Sequence, residues 1–77
     1  MSEPIPNWEA IVHKNVRSRD GVDMGNVAEV DEKNLVIIQG VASEKEYNVP
    51  HSAVEEFNGA EVRLNVPYSQ VKQFLVK

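Results

Sequence analysis

The chain of 77 residues contains no cysteine, no long apolar run and only a small surplus of acidic charge. The absence of cysteine excludes disulfides, thiolate zinc sites, iron–sulfur clusters and a cysteine nucleophile. The longest aliphatic run, residues 35–38, is far shorter than the roughly 20 residues that a membrane-spanning helix needs. The first four residues lack the basic and apolar regions of a secretory signal. We therefore expect a soluble, cytoplasmic protein without membrane insertion.

Length and composition predict one small folded domain. Apolar residues make up 42% and charged residues 26% of the chain, which is ordinary for a globular protein and indicates neither disorder nor a fibrous repeat. We expect the domain to span 1–77, with 1–6 as a flexible N-terminus. A chain this short buries only about 60% of the surface exposed by its unfolded form. Association would add stability, so we expect a homodimer.

The charge is unevenly distributed along the chain. The net charge is −4, but the segment 13–19 carries three positive charges, on Lys14, Arg17 and Arg19. Residues 20–77 contain ten acids and five bases. The basic segment is either a solvated strand whose charges protect a sheet edge or a contact for RNA phosphates. Because the acidic body repels nucleic acid, we favour the first interpretation.

Hydrophobic periodicity predicts six short strands between two short helices. Apolar residues at helical spacing begin at Trp8 and recur near the C-terminus at Val71. The expected strands cover residues 15–18, 24–30, 35–39, 45–49, 54–57 and 61–66. Strands this short, joined by tight turns, predict a mainly β fold, namely a small and strongly bent antiparallel β-barrel with short terminal helices.

Glycine and proline mark the turns of this fold. Asp20-Gly21 and Asn58-Gly59 are typical of hairpins, because glycine readily adopts a positive φ. Pro50 interrupts a strand, since it has no N–H to donate to a ladder. Gly25 lies inside the second strand and therefore indicates a bulge, a sharp bend or the close approach of another backbone.

The third strand is apolar on both faces, unlike a barrel strand between a filled interior and solvent. Something must cover its outer face, either a terminal helix or a second copy of the protein. Contact residues are then Leu35 and Ile37 or their neighbours Val36 and Ile38, because the bulge leaves the register open. Trp8 either attaches the first helix to the sheet or anchors a contact with another protein.

Three motifs resemble those of PRC-barrel domains, the family named for the photosynthetic reaction centre H subunit. They are residues 14–27, KNVRSRDGVDMGNV; residues 47–54, YNVPHSAV; and residues 58–64, NGAEVRL. The resemblance covers residues 8–66 and is greatest to stand-alone, archaeal-type members. It implies a PRC-type barrel that acts as an adaptor in a cytoplasmic assembly such as archaeal cell division. His51 departs from the Lys or carboxylic acid that many members carry, and we expect no fused partner domain.

No residue pattern predicts catalysis, a metal or a cofactor. A zinc site needs three or four ligands, and neither His13 nor His51 has a second histidine or a cysteine at ligand spacing, so we expect both to be surface residues. A barrel of this size is filled by its own side chains, so we expect no enzyme activity. The expected function is a non-catalytic interaction module that docks onto another protein. The alternative is an RNA-binding or ribosome-maturation-associated protein that uses Lys14, Arg17 and Arg19.

Overall fold

One sheet of six strands forms most of the structure, a computed structural model that describes residues 8–40 and 42–76. The strands are β1 (Asn15–Arg17), β2 (Asp23–Val30), β3 (Asn34–Gln39), β4 (Lys45–Pro50), β5 (Val54–Phe57) and β6 (Glu61–Leu64). Turns of 3₁₀-helix cover Trp8–Ile11, His51–Ala53 and Lys72–Phe74, and a single α-helical turn, α1, covers Tyr68–Val71. The mainly β class, the six strands and the short helices are thereby confirmed. The segment 1–6, expected to be flexible, lies outside the described residues.

Alternating burial along the strands separates an inner face from an outer face. On β3, Leu35 and Ile37 are completely buried, and they pair with Val49 and Tyr47 of β4. The same alternation in β6 buries Val62 and leaves its neighbour Arg63 exposed. The inner face and the helical turns form the core, which comprises Ile11, Val16, Met24, Val27, Leu35, Ile37, Tyr47, Val49, Ala53, Val54, Val62, Leu64 and Val71.

The sheet is open, so the predicted closed antiparallel barrel is wrong in two respects. The strand order is β4-β3-β2-β1-β6-β5, with β4 and β5 as the edges, and the β1–β6 pair is parallel. The edge of β4 is occupied by the C-terminal segment, where Leu75 bridges Tyr47 and the Val76 N–H donates to the Glu46 C=O at 2.7 Å. The other edge strand, β5, has a register shift between Val54 and Glu56 in its pairing with β6. The C-terminal segment therefore covers part of the edge that β4 would need for pairing with β5.

A short connection nevertheless requires a strong bend. β4 and β5 are consecutive along the chain but lie at opposite edges, which in a flat sheet would be about 24 Å apart at roughly 4.8 Å per strand. The three residues of the 3₁₀ turn His51–Ala53 bridge at most about 14 Å. The sheet therefore curls until its edges approach each other at this corner. Backbone bonds hold the corner, from the His51 N–H to the Lys33 C=O and from the Asn65 N–H to the Ala53 C=O, both at 2.8 Å.

Gly25 allows β2 and β3 to approach closely. Its φ is +95°, and a Cβ at this position would lie 2.0 Å from the backbone oxygen of Ile38. The β1–β2 register shifts beside it, between Val16 and Arg17. Asp23 accepts a hydrogen bond from the Gly25 N–H at 2.9 Å, and Asn15 Nδ2 donates to the Gly25 C=O at 3.0 Å. The bulge thus lies next to the residue at which the two backbones approach closely.

Candidate interaction surfaces

The structure decides which residues of the third strand face outward. Leu35 and Ile37 belong to the core and have no exposed surface, so they are not available for contact with another protein. Val36 and Ile38 lie on the outer face and are half-buried. Their cross-strand neighbours are polar: Val36 lies opposite Asn48, and Ile38 lies opposite Asn26. Two aliphatic side chains therefore stand within a largely polar outer face.

The C-terminal segment carries two further apolar side chains on the other side of β4. Leu75 and Val76 are the exposed large hydrophobic residues of the described chain, at 45% and 53% exposure. The Val76 N–H donates to the C=O of Glu46, and Glu46 lies directly opposite Ile38 on β3. We call Val36, Ile38 and Val76 the apolar patch. It lies where β3, β4 and the C-terminal segment run side by side.

Trp8 lies at the bent corner, stacked on His51. The ring centroids are 3.8 Å apart and the planes are inclined by 15°. Trp8 is half-buried and packs against the core, so it attaches the first 3₁₀ turn to the sheet. The Nε2 atom of His51 is buried, and no described residue forms a hydrogen bond with it. The stack joins residues 43 positions apart, so no local pattern could have indicated it.

An open cavity of about 360 Å³ lies over the turn between β2 and β3. It is lined by Asp31, Glu32, Lys33 and Asn34. The Asp31 carboxylate accepts backbone hydrogen bonds from Asn34 at 2.7 Å and from Lys33 at 2.8 Å. These bonds hold the pKa of Asp31 below its ordinary value. The Asp31 carboxylate therefore stabilises the backbone of the turn.

The basic residues of segment 13–19 do not form a continuous basic strip, because Arg17 is bonded within the sheet. The Arg17 Nε donates to Glu61 Oε2 at 2.9 Å and its Nη1 donates to the Gly21 C=O at 3.0 Å. The bond to Glu61 raises the pKa of Arg17 above its ordinary value. Arg19 is exposed in the hairpin turn. Lys14 precedes β1 and is half-buried.

Arg63 joins this region from β6, although the sequence did not single it out. The parallel β1–β6 register places Arg63 directly beside Arg17. Its Nη1 also reaches the C=O of Arg19 at 3.4 Å. All three arginines of the chain therefore lie together. Only long-range pairing brings them together, because Arg63 is 44 residues from Arg19.

The first hairpin is fastened to the C-terminal helix through Asp20. Its carboxylate accepts hydrogen bonds from the Ser18 hydroxyl and from the Tyr68 N–H, the latter at 3.1 Å. The bond from Ser18, followed by that from Tyr68, holds the pKa of Asp20 below its ordinary value. Gly21 completes the turn with a φ of +87°.

The other turn residues also have local structural roles. Asn58 Oδ1 accepts the Ala60 N–H at 2.9 Å and the Glu61 N–H at 2.8 Å, shaping the β5–β6 hairpin, in which Gly59 has a φ of +97°. Pro50 is the last residue of edge strand β4, where its missing N–H costs little.

Neither a metal centre nor a family is identified. In the parts of the chain that the structure describes, no three His, Asp or Glu side chains are grouped as ligands. No helix among these residues is long and apolar enough to span a bilayer. Comparison with protein-family models, curated proteins and solved structures gives no match. The PRC-barrel resemblance rests on residues 14–27, 47–54 and 58–64 alone.

Proposed function

We propose that this protein is a non-catalytic interaction module that docks onto another protein through the apolar patch. The observation that carries the proposal is the position of Val36 and Ile38 on the outer face of β3. Neither belongs to the apolar residues that form the core or pack against it. Both are half-buried, and Val76, on the far side of Glu46 from Ile38, is 53% exposed. Burying such side chains against a partner is favourable, at about 25 cal/mol per Å² of apolar area.

The PRC-barrel resemblance supports the same role. That resemblance implies an adaptor in a cytoplasmic assembly, such as the archaeal cell-division machinery. A homodimer is part of the proposal because a domain of this size has a small core. The RNA-binding alternative is less favoured, because Glu61 already binds one of its three cations, Arg17.

Affinity capture from a native lysate tests the proposal. The bait is the tagged wild-type chain or the double variant Val36→Lys/Ile38→Lys, each treated with nuclease. We expect a small set of proteins to remain on the wild type at physiological salt and to be lost from the double variant. The variant should fold, since both side chains point outward and the lysine at 38 would face Glu46. Circular dichroism checks this point.

A matched control separates loss of apolar surface from change of charge. The double variant adds two positive charges, and Glu55→Gln/Glu56→Gln adds the same charge at exposed positions of the opposite edge strand. The control should retain the captured proteins. Sedimentation velocity on all three chains reports whether a dimer depends on the patch. If the double variant captures the same proteins as wild type, or if ribosomal proteins dominate and disappear with nuclease, the proposal is wrong.

A further inference from the structure

The β5–β6 hairpin turns at Asn58 and Gly59, where an asparagine directly precedes a glycine. Asparagine is one of the chemically labile residues. The backbone nitrogen of the following residue can attack its side-chain amide, and a bulky side chain on that residue hinders the attack. Glycine has no side chain and hinders it least. The other described asparagines each precede valine or leucine, namely Asn15, Asn26, Asn34, Asn48 and Asn65.

The side-chain amide of Asn58 is the electrophile in this reaction, and the fold holds it over the turn. Asn58 Oδ1 accepts the Ala60 N–H at 2.9 Å and the Glu61 N–H at 2.8 Å. N–H donors at a carbonyl oxygen stabilise the negative charge that develops there when a nucleophile attacks, as in an oxyanion hole. The bond from Ala60 also spans the Gly59 peptide, so the side chain is folded toward the nitrogen that must attack it.

The nucleophile, which is the backbone nitrogen of Gly59, is open to solvent. Gly59 is exposed, and its N–H forms no hydrogen bond with any residue that the structure describes. A Cβ at this position would meet nothing within 4 Å, so the space beside the turn is open. Hydroxide can therefore reach the Gly59 N–H and remove its proton.

We propose that Asn58 is a site of spontaneous deamidation in the folded protein. The Gly59 nitrogen, once hydroxide has taken its proton, forms a bond to Cγ of Asn58. The Cγ–Nδ2 bond breaks, and Nδ2 leaves as ammonia with a proton from water, which regenerates hydroxide. Water then opens the resulting cyclic imide at either of its carbonyl groups. The products are aspartate and isoaspartate, in which the backbone runs through the former side chain.

The two products should differ in their effect on the hairpin, and the β2–β3 turn shows why. There the Asp31 carboxylate accepts the N–H groups two and three residues ahead, and the Asp31 N–H donates to the Asn34 C=O at 2.9 Å. Asn58 forms the same set of bonds, with its own N–H donating to the Glu61 C=O at 3.2 Å. Aspartate at 58 therefore keeps these bonds, whereas isoaspartate lengthens the backbone by one carbon and displaces their donors.

Incubation of the full chain at mildly alkaline pH tests the proposal. Each deamidation adds one negative charge to the formal net charge of −4, so ion-exchange chromatography follows the reaction and peptide mass spectrometry locates it. We expect Asn58 to lose its amide while the asparagines that precede valine or leucine keep theirs. Gly59→Ala should slow the loss by about tenfold or more, which corresponds to about 1.4 kcal/mol in the barrier. Gly21→Ala, at another open turn position of positive φ, should leave the rate unchanged.

The same incubation in urea shows what the chain does without the turn. The proposal is overturned if Asn58 keeps its amide in the folded wild type and loses it only in urea, or if Gly21→Ala slows the reaction as much as Gly59→Ala. Urea unfolding then checks the products. Asn58→Asp should keep the wild-type midpoint, and a synthetic chain with isoaspartate at 58 should unfold at lower urea; equal midpoints would contradict the difference between the products. Docking through the apolar patch does not involve this turn, so either proposal can fail without the other.

Discussion

Replacing Gly25 by alanine should be one of the most damaging single-methyl changes in this chain. The new Cβ would lie 2.0 Å from the Ile38 backbone oxygen and 2.7 Å from the Gln39 Cα. Both are backbone atoms, so no side chain can rotate away. The β2–β3 ladder must separate locally, or Gly25 must leave its φ of +95°. Either response disturbs the pairing that holds Ile37 in the core.

The magnitude follows from two contributions. A left-handed backbone costs a residue with a Cβ roughly 1–2 kcal/mol, and forcing extra volume into packed structure costs about 1–3 kcal/mol. Together they amount to roughly 2–5 kcal/mol, out of the roughly 4–12 kcal/mol of unfolding free energy typical of a domain this size. With a urea dependence of about 1 kcal/mol per molar, the unfolding midpoint should fall by roughly 2–5 M.

Gly59→Ala provides the matched control. Gly59 has a φ of +97°, but a Cβ there would meet nothing within 4 Å. Its alanine variant therefore carries the backbone penalty without the collision. Urea unfolding of both variants, followed by circular dichroism, isolates the steric contribution as their difference. Equal midpoints for the two variants would refute the close approach of β2 and β3 at Gly25.

Three further predictions concern the core, the corner and alkaline pH. Ile37→Lys should unfold the protein while Ile38→Lys keeps a near-native thermal midpoint, and comparable midpoints would contradict the assignment of faces. His51→Ala should remove the stack on Trp8 and shift the emission of this single tryptophan to longer wavelength; unchanged emission would argue against the stack. Burial, together with a side-chain hydrogen bond to Tyr68, raises the pKa of Tyr47 to about 12. Because the same tyrosine in the unfolded chain ionises near pH 10, the free energy of unfolding should fall between about pH 10 and 12. It should fall more steeply in the wild type than in Tyr47→Phe. Equal slopes for the two proteins would disprove the raised pKa of Tyr47.

The sequence alone was sufficient for the local elements. The alternation of polar and apolar residues in Glu61–Leu64 indicates a strand with one buried face, and Asn58-Gly59 indicates the adjoining hairpin. Gly25 could be read as a bulge or a close backbone approach because glycine within a strand is unfavourable without such a reason. These features depend on residues a few positions apart, and their physical basis is short-range backbone geometry.

Relations between distant strands required the tertiary structure. The run 35–38 is apolar at every position, so its own pattern could not tell inward from outward; pairing with β2 and β4 decided that Leu35 and Ile37 face the core. The C-terminal segment occupies part of the edge of β4 that barrel closure would need, and only the folded chain brings it there. Neither outcome is encoded in the periodicity of a single segment.

The candidate surfaces show the same division. The sequence alone located the basic segment at Arg17 and Arg19, and it located the apolar run that contains Val36 and Ile38. The parallel pairing of β1 with β6 added Arg63 and Glu61, and the bent corner stacked Trp8 on His51. Local sequence determines which backbone conformations are favourable, whereas burial and register across the whole sheet determine which side chains meet.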